Sequence, residues 1–171
     1  MHLSNEHIRL RKLEPTDLPY LYIIENDELA WQHSNTHNPL SCKDLSDYIT
    51  SSTGDIYKDG QLRLIIESQE DDKHIVGCID LYELDIHNLR AGIGIYIIDE
   101  YRNSGLGSES INLIENYASE FLNLRLLYAI VASTNLPSLA IFRKNRFIES
   151  AIVRNWFRSS DAVIFSKLLI K

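Results

Sequence analysis

Residues 95–107 read Ile95-Tyr96-Ile97-Ile98-Asp99-Glu100-Tyr101-Arg102-Asn103-Ser104-Gly105-Leu106-Gly107. The first four are β-branched or aromatic, the composition of a buried strand. Beyond Gly107 the apolar residues Ile111, Ile114, Ala118 and Phe121 recur at spacings of three and four, which predicts a helix with one packed face. From Gly92 to Asn123 the chain is therefore strand, glycine-bearing turn, helix. Gly105 and Gly107 offer backbone without Cβ, so an outside group can approach closely, and the first N–H groups of the helix have no intrahelical partners. A helix N-terminus carries the positive end of the dipole, and Arg102 stands beside it with a fixed positive charge. The physical reading is a cradle for a phosphate or pyrophosphate.

Spacing decides between the nucleotide motifs that use this physics. A P-loop requires a Lys and a Ser or Thr after its last Gly, and here Ser108 and Glu109 follow Gly107. A dinucleotide fingerprint requires an acid at the end of the next strand, yet Leu127–Val131 runs into Ala132-Ser133-Thr134-Asn135. What remains is Arg102-x-x-Gly105-x-Gly107, followed past the next strand by Asn135-Leu136-Pro137-Ser138-Leu139-Ala140-Ile141-Phe142-Arg143-Lys144-Asn145-Arg146-Phe147. The first resembles the R/Q-x-x-G-x-G/A acyl-coenzyme A motif of the GNAT N-acetyltransferase superfamily. The second resembles that family's Asn and short helix ending in Tyr-x-Lys-x-Gly-Phe. The resemblance extends over nearly the whole chain from Ile8-Arg9-Leu10-Arg11 onwards, and is greatest to the branch of spermidine acetyltransferases and ribosomal-protein N-terminal acetyltransferases. Two positions depart from it: Phe142 stands where the family usually has Tyr, and Arg146 where it has Gly.

The chain of 171 residues is one domain's worth, and 44% hydrophobic with 24% charged residues is the balance of a soluble globular protein. No apolar run approaches the roughly 20 residues that span a bilayer, and the first twenty residues mix charge with apolar side chains, unlike a signal peptide. Cys42 and Cys78 are far apart and form no C-x-x-C, which argues for a reducing compartment and a cytoplasmic location. A net charge of −7 disfavours nucleic acid as a partner and favours a cationic substrate.

Alternating residues predict a first strand over Ile8–Leu13. A helix capped by Thr16 follows, packed through Leu18, Leu21, Tyr22 and Ile24 and ending near Asp27. A second helix is predicted from Cys42 to Ser52 behind Ser41, packed through Leu45, Tyr48 and Ile49. Strands follow at Gln61–Glu67, Ile75–Leu84 and Arg90–Ile98, with Lys58-Asp59-Gly60 and Glu70-Asp71-Asp72-Lys73 as turns. After the cradle helix come the strand Leu127–Val131, a short helix Pro137–Lys144, and closing strands over Phe147–Trp156 and Asp161–Leu169. With no repeat or linker, the expectation is a single α/β domain over residues 1–171. The resemblance implies a mixed, mostly antiparallel central sheet flanked by helices, the acyl-CoA N-acyltransferase fold.

The resemblance also implies acetyl-coenzyme A as cofactor. Its pantetheine arm would lie along Tyr96, Ile97 and Ile98, and its pyrophosphate on Arg102, Asn103, Ser104, Gly105, Leu106 and Gly107. Asn135, Ser138, Phe142 and Lys144 would line the arm, Asn135 also reading as a helix N-cap with Pro137 in the first turn. Acetyl transfer to an amine needs a group that accepts the ammonium proton. The candidates are Asp80 and Glu83 on the third strand, which a period of two sends to opposite faces. Asp80 sits in an apolar run, so it reads either as a desolvated base or as an acid on the solvent face. Glu25, Asp27 and Glu28 beside Trp31 read either as a solvated helix end or as a site that holds an ammonium by charge and cation–π contact. His33 and His37 have the spacing of a metal pair, but Pro39 follows and no third ligand suggests itself, so a loop is expected and no metal. No G-x-S-x-G or Cys–His signature supports a covalent enzyme, and the resemblance implies direct transfer in a ternary complex.

The expectation is an acetyl-CoA-dependent N-acetyltransferase acting on a primary amine, either a small polyamine-like molecule or a peptide N-terminus. The alternative is a coenzyme A-binding module with weak or lost catalysis, since Phe142 lacks the family's hydroxyl. Neither a nucleic acid nor a membrane is expected as partner, and a homo-oligomer stays open.

Overall fold

The computed structural model describes residues 3–31, 38–70 and 73–169, and all their side chains except those of Leu29 and Ala30. Seven strands form one sheet in the order β1-β2-β3-β4-β5-β7-β6: β1 Ile8–Lys12, β2 Leu62–Ser68, β3 Ile75–Asp85, β4 Arg90–Ile97, β5 Leu126–Ala132, β6 Ile148–Phe157 and β7 Ser160–Leu168. The β4–β5 pair is parallel and every other neighbouring pair antiparallel, the mixed sheet expected. The parallel join arises because β4 returns to the sheet through a right-sized crossover, helix α5 (Leu106–Glu120), as a strand–helix–strand unit requires.

Two apolar layers cover the sheet. On one side α5 buries Ile111, Ile114 and Ala118 against Leu64, Ile79, Ile93 and Leu127. On the other, α1 (Leu18–Glu25) and α3 (Cys42–Ser51) bury Leu21, Ile24, Leu45 and Ile49 against Ile65 and Cys78. Strand β2 is buried on both faces for this reason, and it reads as a near-continuous apolar run. Phe121, expected on the packed face of α5, is exposed where the helix ends, and Leu122 turns into the core instead. Tyr22 likewise lies on the outer side of α1.

The helix starts show which local signals won. Ser41 caps α3 as its sequence predicts, accepting the Asp44 N–H at 3.1 Å. Thr16 does not cap α1. A 3-10 turn at Pro15–Asp17 precedes that helix, and the buried Asp17 carboxylate accepts the Glu14 N–H at 2.8 Å while binding Arg11 at 2.8 and 2.9 Å. A carboxylate that satisfies a backbone donor and a guanidinium together outcompetes a lone hydroxyl. Helix α1 stops at Glu25, and a short α2 follows at Glu28–Trp31. The turn expected around Lys58 is a single-turn helix, α4 (Ile56–Asp59), capped by Asp55 and ended by Gly60 at φ 70°.

Candidate active site

Strands β4 and β5 pair only at Arg90, Ala91 and Gly92 and then part. The wedge they leave is the floor of a cleft of about 1170 Å³. It runs from Glu25, Asp27 and Trp31 at one end to Gly105, Ser108 and Lys144 at the other. Trp156 and Phe157, at the end of β6, close its far wall.

The cradle end follows from the quoted stretch. A 3-10 turn at Asp99–Tyr101 lifts the chain off β4, and Gly105 at φ 95° turns it into α5. A Cβ added to Gly105 would meet nothing within 4 Å, so the glycine opens space toward the cleft and its backbone angle disfavours any other residue. Gly107 has a different task. A Cβ there would come within 2.7 Å of Ile141 Cδ1, so it allows α5 to pack on α6 (Leu136–Lys144). The Arg102 guanidinium is held in place by the Ile97 carbonyl at 3.1 Å and Asp99 at 2.7 Å, and lies over the Tyr96 ring. Tyr96, Ile97, Asn103, Asn135, Ser138, Phe142 and Lys144 line the same cleft. Asn135 caps α6, its Oδ1 accepting the Ser138 N–H at 3.2 Å.

Three residues expected to hold the cofactor, Ile98, Ser104 and Leu106, are not among those that line the cleft. The Ile98 N–H donates to the Val76 carbonyl at 2.9 Å, because the strand continues its antiparallel pairing at that point. The Ser104 hydroxyl donates back to the Tyr101 carbonyl at 2.6 Å. Leu106 packs against the core. Phe142 is buried, its ring stacked on Phe165 at 5.7 Å and edge-on to Phe147 at 5.1 Å.

At the other end the candidate acids meet. Arg63 on β2, which the sequence reading passed over, bridges them. Its Nε and Nη2 donate to the two oxygens of Asp80 at 2.7 and 3.0 Å, and its Nη1 donates to Glu25. Desolvation pulls the Arg63 pKa down, but the facing charges of Asp80 and Glu25 more than reverse this, so it lies well above its ordinary value. The visible signal was one arginine inside the apolar run Leu62–Ile66. Trp31 presents its indole N–H to the Glu25 carbonyl at 2.7 Å. Glu28 is exposed and does not line the cleft.

Asp80 and Glu83 do not face opposite ways, as strict alternation requires. The β3–β4 register shifts between Tyr82 and Asp85, and Glu83 takes φ 49°. This bulge re-aims Glu83 so that both acids line the cleft. The Glu83 Oε2 accepts the Tyr128 hydroxyl at 2.6 Å. Burial and then that bond raise the Tyr128 pKa. Burial and the Asp80 charge push the Cys78 thiol below them up to about 12, which keeps it un-ionised. No group of three or more metal-ligating side chains occurs among the described residues, and His33, His37, Asp71 and Asp72 lie outside them.

Comparison with known proteins agrees with this architecture. The family model described as "Acetyltransferase (GNAT) domain" matches residues 7–148. The spermidine N(1)-acetyltransferase of Escherichia coli (strain K12) is 28% identical over 155 residues, covering 90% of this chain and 80% of the relative. A putative ribosomal N-acetyltransferase of Bacillus subtilis (strain 168) is 30% identical over 154 residues, covering 88% of this chain and 83% of the relative. The crystal structure of spermidine N-acetyltransferase from Vibrio cholerae in complex with CoA and spermine superposes with a TM-score of 0.84. It covers 96% of this chain and 97% of that one at 22% identity, and so speaks to the fold.

Proposed function

Because the chain belongs to the acetyltransferase (GNAT) family and is an N-acetyltransferase that uses acetyl-CoA, we propose that its acceptor is a small polycationic amine of the polyamine kind. One observation carries this reading: at the acceptor end of the cleft the carboxylates of Glu25, Asp80 and Glu83 outnumber the Arg63 guanidinium, which pairs with the first two. Excess carboxylate in a half-enclosed, low-dielectric wall attracts and orients an ammonium group.

The bound thioester supplies an activated acetyl group and a leaving thiolate. The protein's part begins at Gly105 and the first N–H groups of α5, which with Arg102 would hold the pyrophosphate. The parted edges of β4 and β5, with Asn135 and Ser138, would hold the arm between them. Asp80 is tied at both oxygens by Arg63, whereas Glu83 is tied at one by Tyr128. We therefore assign the proton-accepting role to Glu83 and an orienting role to Asp80, with Glu25, Asp27 and the Trp31 ring flanking the incoming amine.

The test is coenzyme A release with spermidine, spermine, amino sugars and N-terminal peptides as acceptors. Spermidine turnover that loses kcat in Glu83→Gln, and whose KM rises in Asp27→Asn more strongly at low salt than high, supports the assignment. Turnover of peptides with indifference to polyamines overturns it and favours the second reading, an N-terminal peptide acceptor. That reading draws its support from the relative named as a ribosomal N-acetyltransferase. No helix among the described residues is long and apolar enough to cross a membrane, and Cys42 and Cys78 are both free; a cytoplasmic location suits them. The edge strand β6 exposes Ile148, Ile152 and Trp156, and we place self-association at this edge, checked by sedimentation velocity.

A further inference from the structure

Tyr82 lines the cleft where strands β4 and β5 part. Tyr82 on β3 lies in register opposite Gly92 on β4, at the last β4 position paired with β5. Its ring covers that glycine: a Cβ built on Gly92 would come within 2.3 Å of ring carbon Cε2, and one on Gly94 would stand at 3.7 Å from Cε1. The sequence Ala91-Gly92-Ile93-Gly94-Ile95 alternates a bare face with an apolar one, and the bare face is where the ring rests. Tyr128 meets the ring edge-on at 6.1 Å, and the hydroxyl tip reaches the Ile130 backbone on β5. Tyr82 thus spans three strands and is pinned beneath, at its edge and at its tip. Burial pushes its pKa up to about 12, so the tip is neutral and the stopper carries no charge.

We propose that Tyr82 sets the length of the acyl group this enzyme accepts, limiting it to a short chain. The argument rests on the cofactor placement above. A ligand anchored by phosphates at Gly105 and laid along the parted strands enters past Ile97 and runs toward Gly92. Those five steps of strand amount to about 16 Å at the usual rise. The far end of such a ligand is its acyl end, and Tyr82 is the wall it meets. A wall held on three sides does not yield to extra methylenes, and each methylene without room lowers binding by roughly tenfold or more. Gly92 is the counterpart of the device, since a side chain there would evict the ring.

The test is binding, so it needs no acceptor amine. Calorimetry measures the affinity of coenzyme A and of its unreactive S-ethyl, S-butyl and S-hexyl thioethers for the wild-type chain, Tyr82→Phe, Tyr82→Leu and Tyr82→Ala. The wild type is expected to bind the S-ethyl compound about as well as coenzyme A, and the S-hexyl compound at least about tenfold more weakly. Tyr82→Phe should keep that ratio, because the ring alone is the wall. Tyr82→Ala should bring the ratio to within about twofold, with Tyr82→Leu intermediate and serving in its place if the alanine variant fails to fold. An unchanged ratio in folded Tyr82→Ala or Tyr82→Leu that still bind coenzyme A overturns the proposal and leaves the cofactor site standing. So does a wild type that binds the S-hexyl and S-ethyl compounds alike. A wild type that binds no coenzyme A removes the cofactor placement and this inference with it.

Discussion

The two glycines of the cradle look equivalent in sequence but differ in surroundings. Gly105 faces open space at φ 95°, and Gly107 sits under Ile141. Gly105→Ala is therefore expected to weaken coenzyme A binding by at least about tenfold and to cost about 1–2 kcal/mol of stability, since an L-residue there is strained. Gly107→Ala should leave affinity alone and change stability by no more than about 1 kcal/mol, helix propensity offsetting the displaced Ile141 tip. Calorimetry beside thermal unfolding separates the two, and equal loss of affinity in both variants would contradict this division. Phe142 supports a second expectation. Its ring lines the cleft but offers no donor to a departing thiolate. Phe142→Tyr should raise kcat, by up to the roughly 10²–10⁴-fold that a positioned acid contributes, with little change in KM for acetyl-CoA. A flat kcat in a folded variant that binds cofactor would mean that thiolate departure does not limit turnover. Both expectations begin from residues legible in the sequence, but only the packing around them tells ligand contact from helix contact.

At the level of elements, the second motif carries a cost the sequence hints at. Arg146, one residue past the Asn145 end of α6, takes φ 63°, where glycine is the unstrained choice. Asn145 secures the turn by donating from Nδ2 to the Ile141 carbonyl at 2.8 Å and to the Ser108 hydroxyl at 3.2 Å. Arg146→Gly is expected to stabilise the fold by about 1 kcal/mol, the relief of left-handed strain less the added freedom of the unfolded chain. A denaturation midpoint that falls would show instead that the arginine side chain contributes contacts larger than the strain. The same scale explains the two missed elements. Helices α2 and α4 have four residues each, too short for a periodic pattern.

Across the whole molecule, β1, β2 and the 3-10 turn are joined by a charge network in which Glu67 accepts from Arg9 and Arg11, and Arg11 also binds Asp17. Burial works to raise the Glu67 pKa, but the bonds from Arg11 and Arg9 outweigh it and hold it below the ordinary value. A depressed folded-state pKa contributes stability that is complete above the unfolded glutamate value and fades as pH falls through the folded one. The unfolding temperature should therefore decline as pH drops below about 4.3, and Glu67→Gln should flatten that decline. An acid limb unchanged in Glu67→Gln would place the titrating group elsewhere. The sequence by itself determined the strand–turn–helix unit with Gly105 at its turn and, through the resemblance of its two motifs, the family and with it the mixed sheet, because those motifs are patterns a few residues to a few turns long. The tertiary structure alone decided that Arg63 bridges Glu25 and Asp80, 38 and 17 residues away, that a bulge turns Glu83 to the same side as Asp80, and that Tyr82 lies over Gly92. Those facts depend on strand register and on where β4 and β5 part, which no local pattern encodes, because register is fixed by the packing of the whole sheet.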